Sequence, residues 1–283
     1  MMQSKIILHG GFFSESSTSR ETKIAKQHAL TEIIKHSHQF LETHSAIDTV
    51  VFAVELLENC DLFNAGIGSQ LQRDGKIRMS ASLMDGVSKK FAGVINIEDV
   101  KNPIRVAEKL MTEEDRVLGG EGAQQFARAH GFPYFNTETP QRRTEFESKL
   151  RSTKTGTVAC VALDKAGRLA AATSTGGKGF ELPGRISDSA TVAGNFANDE
   201  CAVSCTGVGE DIVSGATAVK IATRVSDGFS LKEAFERSFA ELKPFDGFAG
   251  AIAIDNQGNI FHLDSHPSMV FASFDGNELI VFN

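Results

Sequence analysis

The chain is short of several things that would point to particular functions. It has four cysteines, Cys60, Cys160, Cys201 and Cys205, and no CxxC pair among them. Structural zinc wants four ligands and catalytic zinc three, so these spacings do not build a zinc site. Free, buried thiols of a reducing cytoplasm are expected instead. Long apolar runs are missing as well. The stretch after Lys5 is only three apolar residues, too short for a signal-peptide core, and nothing approaches a membrane span. A soluble, cytoplasmic protein with no membrane partner is expected. Positive charge is scarce: 29 Lys and Arg stand against 36 Asp and Glu, a formal charge of −7. Such a chain gains nothing from phosphate neutralisation, so no nucleic-acid partner is expected. Gly66-Ile67-Gly68 and Gly207-Val208-Gly209 both lack the third spaced glycine of a dinucleotide fingerprint, which speaks against a nucleotide-binding protein.

What is present is the material of a large globular unit. At 283 residues and 41% hydrophobic, the chain can bury a substantial core within one large domain, residues 1–283. Ile6 to Leu8 reads as a buried strand. Helical spacing runs through about 18–43 and 47–57, then from Asn102-Pro103 to Met111, where proline occupies the first turn, and from Glu121 to His130. Arg78 to Met84 reads as a strand closed by Asp85-Gly86. From about 133 to 156 the sequence is polar, and reads as a linker with at most a helical turn over Phe146–Leu150. Beyond it, Val158 to Leu163 and Leu169 to Thr175 read as paired strands, followed by strands at 202–205, 249–254 and 260–263. Helices are expected over about 211–225 and 231–242.

Glycine and threonine gather in four turns: Gly156-Thr157, TSTGG at 173–177, LPGR at 182–185 and CTGVGE at 205–210. Each alone reads equally as hairpin chemistry. Thr157 stands apart because it joins the polar linker to a buried strand. A threonine hydroxyl needs a base to become a nucleophile. A freed N-terminal amine, with a pKa near 7.7–8.0, is tethered to that same residue. Gly156 before it leaves room for attack on its carbonyl. The plainer reading, a threonine opening a strand, stays open on spacing alone.

Taken together, GTVACVALDKAGRLAAATSTGG, LPGRISDS and AVSCTGVGE resemble the plant-type asparaginase/isoaspartyl peptidase family of N-terminal-nucleophile hydrolases. LLENCDLFNAGIGSQL, ASLMDG, KNPIRVAEKLM and GEGAQQFA resemble earlier family segments in the same order. The resemblance implies an α+β fold of four layers, αββα, made as one precursor. It implies self-cleavage between Gly156 and Thr157 into chains 1–156 and 157–283, which pair and then dimerise as two cut heterodimers. It implies hydrolysis of β-aspartyl peptides and L-asparagine with no catalytic cofactor. By the same resemblance Thr157 is the nucleophile, Thr175 orients it, and Thr206 with Gly207 forms the oxyanion hole. Arg185 and Asp188 clamp the substrate's carboxylate and ammonium, Gly209 adds a backbone contact, and Asn64 belongs to a bracing loop. That loop is implied to wrap a sodium ion with main-chain oxygens of Leu57, Glu58, Cys60, Phe63, Ala65 and Ile67. Glu210 and Asp211 read as first-turn acids of a helix rather than catalytic groups.

Some positions depart from the pattern. The start is HGGFF, with Phe12 and Phe13, GGKGFE at 176–181 is atypical, and Glu181 stands where a base is frequent. These bear on the rim of the pocket and on substrate preference. A glycosylasparaginase of the same fold is the nearest alternative. TSTGG, NAGIGS and the absence of tryptophan weigh against it. A catalytically silent scaffold, which would stay uncut, is the other.

Overall fold

The computed structural model describes residues 2–13, 19–148, 156–245, 248–266 and 268–283. Among them the chain forms twelve strands and eight α-helices, an α+β arrangement. The first half contributes β1 (Lys5–Phe12), α1 (Arg20–Leu41), α2 (Ala46–Glu58), β2 (Met79–Asp85), β3 (Phe91–Ile97), α3 (Pro103–Leu110), β4 (Val117–Gly119), α4 (Gly120–Ala129) and α5 (Pro140–Glu147). The second half contributes β5 (Thr157–Leu163), β6 (Leu169–Thr175), β7 (Asn195–Ala197), β8 (Cys201–Gly207), α6 (Gly209–Gly215), α7 (Thr217–Ser226), α8 (Leu231–Ala240), β9 (Ala249–Asp255), β10 (Ile260–Asp264), β11 (Met269–Phe274) and β12 (Leu279–Val281).

One sheet has the order β12-β11-β1-β5-β6-β2-β3-β4, and the other β10-β9-β8-β7. The two strands that flank the 156/157 junction sit at the centre of the larger sheet. Every residue of β5 and β6 is buried, which is why VACVAL and LAAA run apolar without alternating. Helices α1 to α4 bury their stripes on one face of that sheet. Leu30, Ile34 and Leu41 of α1, with Val50, Val54 and Leu57 of α2, join Ile6, Leu8, Val158 and Cys160 there. Such side chains each stabilise the fold by about 1.5–3 kcal/mol when fully buried. Ile7, Val161 and Leu163 face the other way, against Ala202, Ile252 and Ile254 of the second sheet. The far face of that sheet packs Val203 and Cys205 on Ile221 and Phe235 of α7 and α8. Ser19, Ser45 and Ser230 open α1, α2 and α8 with their hydroxyls on backbone N–H groups, and Ser230 completes a capping box with Glu233.

Three expectations need correction. The polar linker is not wholly irregular: α5 spans Pro140–Glu147, capped by the Thr139 hydroxyl, and begins well before the turn expected at Phe146. Residues 149–155 lie outside the described residues. The single helix expected over 211–225 is two, α6 and α7, broken at Ala216, which adopts φ 49° and ψ 44°. Strands β3, β4, β7, β11 and β12 were not anticipated. All four cysteines are free thiols. No helix among the described residues is long and apolar enough to cross a membrane.

Candidate active site

The Gly156–Thr157 junction enters the centre of the larger sheet between two fixed neighbours. Thr157 pairs directly with Thr175 of β6, and both are buried. The Gly156 carbonyl oxygen accepts two hydrogen bonds, from Asn64 Nδ2 at 2.8 Å and from Thr175 Oγ1 at 3.1 Å. Asn64 is itself pinned. Its Nδ2 also donates to the Gly177 carbonyl, and its Oδ1 accepts from Gln70 N at 3.1 Å. The glycine at 156 has a steric reason, since a Cβ there would lie 2.7 Å from Asn64 Cβ.

On the other side, His9 holds the Thr157 carbonyl through Nδ1 at 2.9 Å. Accepting by that carbonyl puts the ring proton on Nδ1, so Nε2 is left to accept from Ser204 Oγ, 3.5 Å away. Ser204 is 2.6 Å from Thr173 Oγ1. Burial lowers the His9 pKa to about 4, so the ring is neutral near pH 7 and acts as a strut rather than a charge. The polar neighbour of Thr157 Oγ1 is Ser189 Oγ, at 3.5 Å. Thr175 stands opposite Thr157 across the β5–β6 pair. Its own hydroxyl sits on the preceding carbonyl and accepts from Gly177 N at 3.2 Å.

Ser189 follows Asp188, which brings the charged turn to the side of Thr157. Asp188 is buried and its Oδ2 has no hydrogen-bond partner. Burial raises its pKa to about 7, with the nearby Arg185 charge opposing that shift. Gly209 lies against both Asp188 and Arg185: a Cβ would meet Asp188 Oδ1 at 2.7 Å and Arg185 Nη2 at 2.9 Å. Arg185 is engaged side-on by Glu210, Nε to Oε1 at 2.8 Å and Nη2 to Oε2 at 2.9 Å. The Arg185 hydrogen bonds, with Lys178 beside them, bring the Glu210 pKa down to about 2. Glu210 is thus a first-turn acid of α6, as expected, and also the residue that orients the arginine.

Strand β8 packs on β5 and carries Thr206, whose Oγ1 is buried with no hydrogen-bond partner among the described residues, and Gly207, at φ 137°. A Cβ at Gly207 would lie 2.1 Å from the Phe248 carbonyl oxygen. An orphaned hydroxyl beside a turn that only glycine can make is a donor set awaiting an acceptor.

Comparison with known proteins gives this geometry its family. The model of the family described as Asparaginase matches residues 2–153 and 137–281. The chain is 42% identical to an isoaspartyl peptidase/L-asparaginase of Nostoc sp., over 98% of this chain and 94% of that one. It is 40% identical to an isoaspartyl peptidase of Salmonella typhimurium, over 92% and 91%. It is 34% identical to a plant-type L-asparaginase of Pyrococcus furiosus, over 94% and 95%. The chain belongs to the asparaginase family.

Two features of this asparaginase-family chain were not legible in its sequence. Ser189, Ser204 and His9 gather around Thr157 from separate elements, and nothing in their local sequence marks that convergence. Phe12 packs against Phe248 with the rings tilted by 52° and their centroids 4.1 Å apart. Phe13 lines a separate cavity of about 380 Å³ with His262, Met269, Phe271 and Phe282. Glu181 is buried beside Gly177, and desolvation raises its pKa.

The 57–68 loop is wound tightly on its own main-chain oxygens. A Cβ at Gly66 would sit 2.2 Å from Glu58 O, and one at Gly68 would sit 1.8 Å from Phe63 O and 2.9 Å from Asp61 O, so glycine alone allows this approach. The Cys60 and Ala65 carbonyls each accept one loop hydrogen bond, which leaves each a second lone pair, whereas that of Leu57 accepts from both Asn59 N and Cys60 N. The Glu58 side chain points elsewhere, to Ser174 Oγ at 2.6 Å and Ile104 N at 3.1 Å.

Proposed function

We propose that this chain cuts itself before Thr157 and uses the freed threonine to hydrolyse β-aspartyl peptides and the side-chain amide of L-asparagine. The observation that carries the reading is the Gly156 carbonyl, held by Asn64 and Thr175 next to a buried threonine hydroxyl. Its two donors are aimed where negative charge develops when that carbonyl is attacked.

In the first step Thr157 Oγ attacks the Gly156 carbonyl carbon. Asn64 and Thr175 stabilise the oxyanion. The C–N bond then breaks, the hydroxyl proton passes to the departing nitrogen, and an ester joins Gly156 to Thr157. Water hydrolyses the ester, leaving the Gly156 carboxylate and a free Thr157 amine. In turnover that amine takes the hydroxyl proton as Thr157 attacks the substrate's side-chain carbonyl. The buried Thr206 hydroxyl and the Gly207 N–H stabilise the oxyanion. The leaving group departs as ammonia or an amino acid, and water releases L-aspartate.

Arg185 has five N–H donors in a fixed fork, and Glu210 uses two of them side-on. The remaining edge suits the substrate's α-carboxylate, while Asp188, with its open Oδ2, suits the α-ammonium. Together they set the scissile carbonyl over Thr157. The three separated cores support an αββα layering of helices and two sheets. The reading extends to a dimer of cut pairs in the cytoplasm. It also extends to a sodium ion held by the 57–68 loop through main-chain oxygens of Leu57, Glu58, Cys60, Phe63, Ala65 and Ile67, as a brace for Asn64 with no part in the chemistry.

The test is a denaturing gel with N-terminal sequencing, followed by ammonia release from L-asparagine and cleavage of β-Asp-Leu. Two chains are expected, the smaller beginning at Thr157, and Thr157→Ala should remain intact. An active enzyme that is never cut, or a Thr157→Ala variant that still splits at this bond, would overturn the reading.

A further inference from the structure

Two cations seven residues apart in the loop after β6 converge on one carboxylate beside the proposed substrate clamp. Lys178 Nζ donates to Glu210 Oε1 over 2.9 Å, and that same oxygen accepts Arg185 Nε at 2.8 Å. Lys178 belongs to the turn that follows Thr175, and its backbone is fixed on both sides. The Gly177 carbonyl accepts from Asn64. Gly179, at φ 76°, lies so close to Gln70 that a Cβ would be 1.9 Å from Oε1. The lysine therefore leaves a rigid support and reaches the arginine's own counter-ion.

The donor count leaves room for a further anion. Glu210 occupies two of the five N–H donors of Arg185 and one of the three of Lys178. Two positive charges face one negative charge, so the cluster is left with a net positive charge. Of the other acids nearby, Asp188 is reserved for the substrate's ammonium in the proposed clamp, and Glu181 is buried, where desolvation disfavours its charged form.

We propose that Lys178 is the second cation of the clamp, binding the aspartyl α-carboxylate jointly with Arg185, with Glu210 holding the two side by side. This deepens the proposed function and rests on it. A lysine that only neutralised Glu210 would leave substrate affinity alone. A lysine that read the leaving residue would affect only substrates carrying a second carboxylate.

The experiment compares matured wild type, Lys178→Met, Lys178→Arg and Arg185→Ala on L-asparagine, β-Asp-Leu and β-Asp-Leu amide. Lys178→Met should raise KM about five- to tenfold on all three, the loss of one half-exposed ionic contact. Its kcat should stay within about twofold, because the contact is made equally in ground and transition states. Its chain splitting should proceed at the wild-type rate, and Lys178→Arg should restore KM. An unchanged KM in Lys178→Met beside a raised KM in Arg185→Ala overturns the role of Lys178 alone. A rise confined to β-Asp-Leu also overturns it, by moving the lysine to the leaving residue. Wild-type enzyme inert toward all three substrates overturns the proposed function itself.

Discussion

Asp188 makes the site sensitive to pH in a defined direction. Its pKa is raised to about 7, so below that pH the carboxyl is largely protonated and offers no charge to a substrate ammonium. kcat/KM for L-asparagine should therefore rise as pH increases through about 7, with the Thr157 amine, an expected base, adding a limb in the same direction. Asp188→Asn should lower kcat/KM on the order of 100-fold, the typical result of removing one partner from a buried charge pair. A pH–rate profile of both enzymes checks this, and a flat wild-type profile between pH 5 and 8 would count against the assignment. Gly156 gives a second residue-level outcome. Its Cβ would press 2.7 Å from Asn64 Cβ, so Gly156→Ala should displace the very carbonyl that Asn64 holds. Splitting should slow about 100-fold, since an ångström of misplacement in a near-attack geometry has that effect. The half-time of band conversion on a gel measures it.

At the scale of elements, Ala216 is the clearest case of a feature invisible in sequence. Alanine is the best helix former, so residues 211–225 read as one helix. The break instead follows from packing: Gly215 presses on Leu242, where a Cβ would lie 2.6 Å from Cδ2, and the chain turns through left-handed Ala216. Glycine tolerates that conformation, which is unfavourable by roughly 1–2 kcal/mol for alanine, although glycine loses more entropy on folding. Ala216→Gly should therefore stabilise the fold by about 0.5–1 kcal/mol, read from denaturant unfolding in an uncut Thr157→Ala background. The central strands and the amphipathic helices were legible because their burial is complete or one-sided. β11 was not, because MVFASF acquires its place from β1, more than half the chain earlier in sequence. Gly156-Thr157, the turn carrying Arg185 and Asp188, and the CTGVGE turn were legible as candidates because each occupies a compact motif. The double hold on the Gly156 carbonyl and the second duty of Glu210 were not, because they arise only when loops from different elements meet.

At the scale of the molecule, buried ionisable groups set how stability varies with pH. Burial raises the Glu58 pKa to about 8, so the folded chain binds this proton more tightly than the unfolded chain. Its contribution is complete below about pH 4.5 and is lost as pH rises toward 8. His9 runs oppositely: its lowered pKa makes stability rise with pH between about 4 and 6.5, then level off. Above 6.5 the Glu58 trend is no longer offset by His9, and Asp188 adds to it. Unfolding free energy should fall between about pH 6.5 and 8, and Glu58→Gln should flatten that fall. Chemical denaturation of Thr157→Ala across this range, with and without Glu58→Gln, is the measurement. An equally steep fall in the double variant would remove Glu58 as its source.

The order β12-β11-β1-β5-β6-β2-β3-β4 threads strands from before and after residue 156 through a single sheet. Severing the chain before β5 then changes the molecularity of folding. The uncut polypeptide folds by a first-order search, with both halves tethered. After the cut, unfolding releases two fragments, and recovery depends on their concentration. Neither fragment alone holds the strands needed to rebuild the sheet. Heated and cooled at low micromolar concentration, Thr157→Ala should recover its melting transition on a second scan, whereas the matured protein should recover progressively less as it is diluted. The proposed cut before β5 would thus act as a ratchet: the tether that assembles the sheet would be used once, and the two halves would stay together because they come apart slowly.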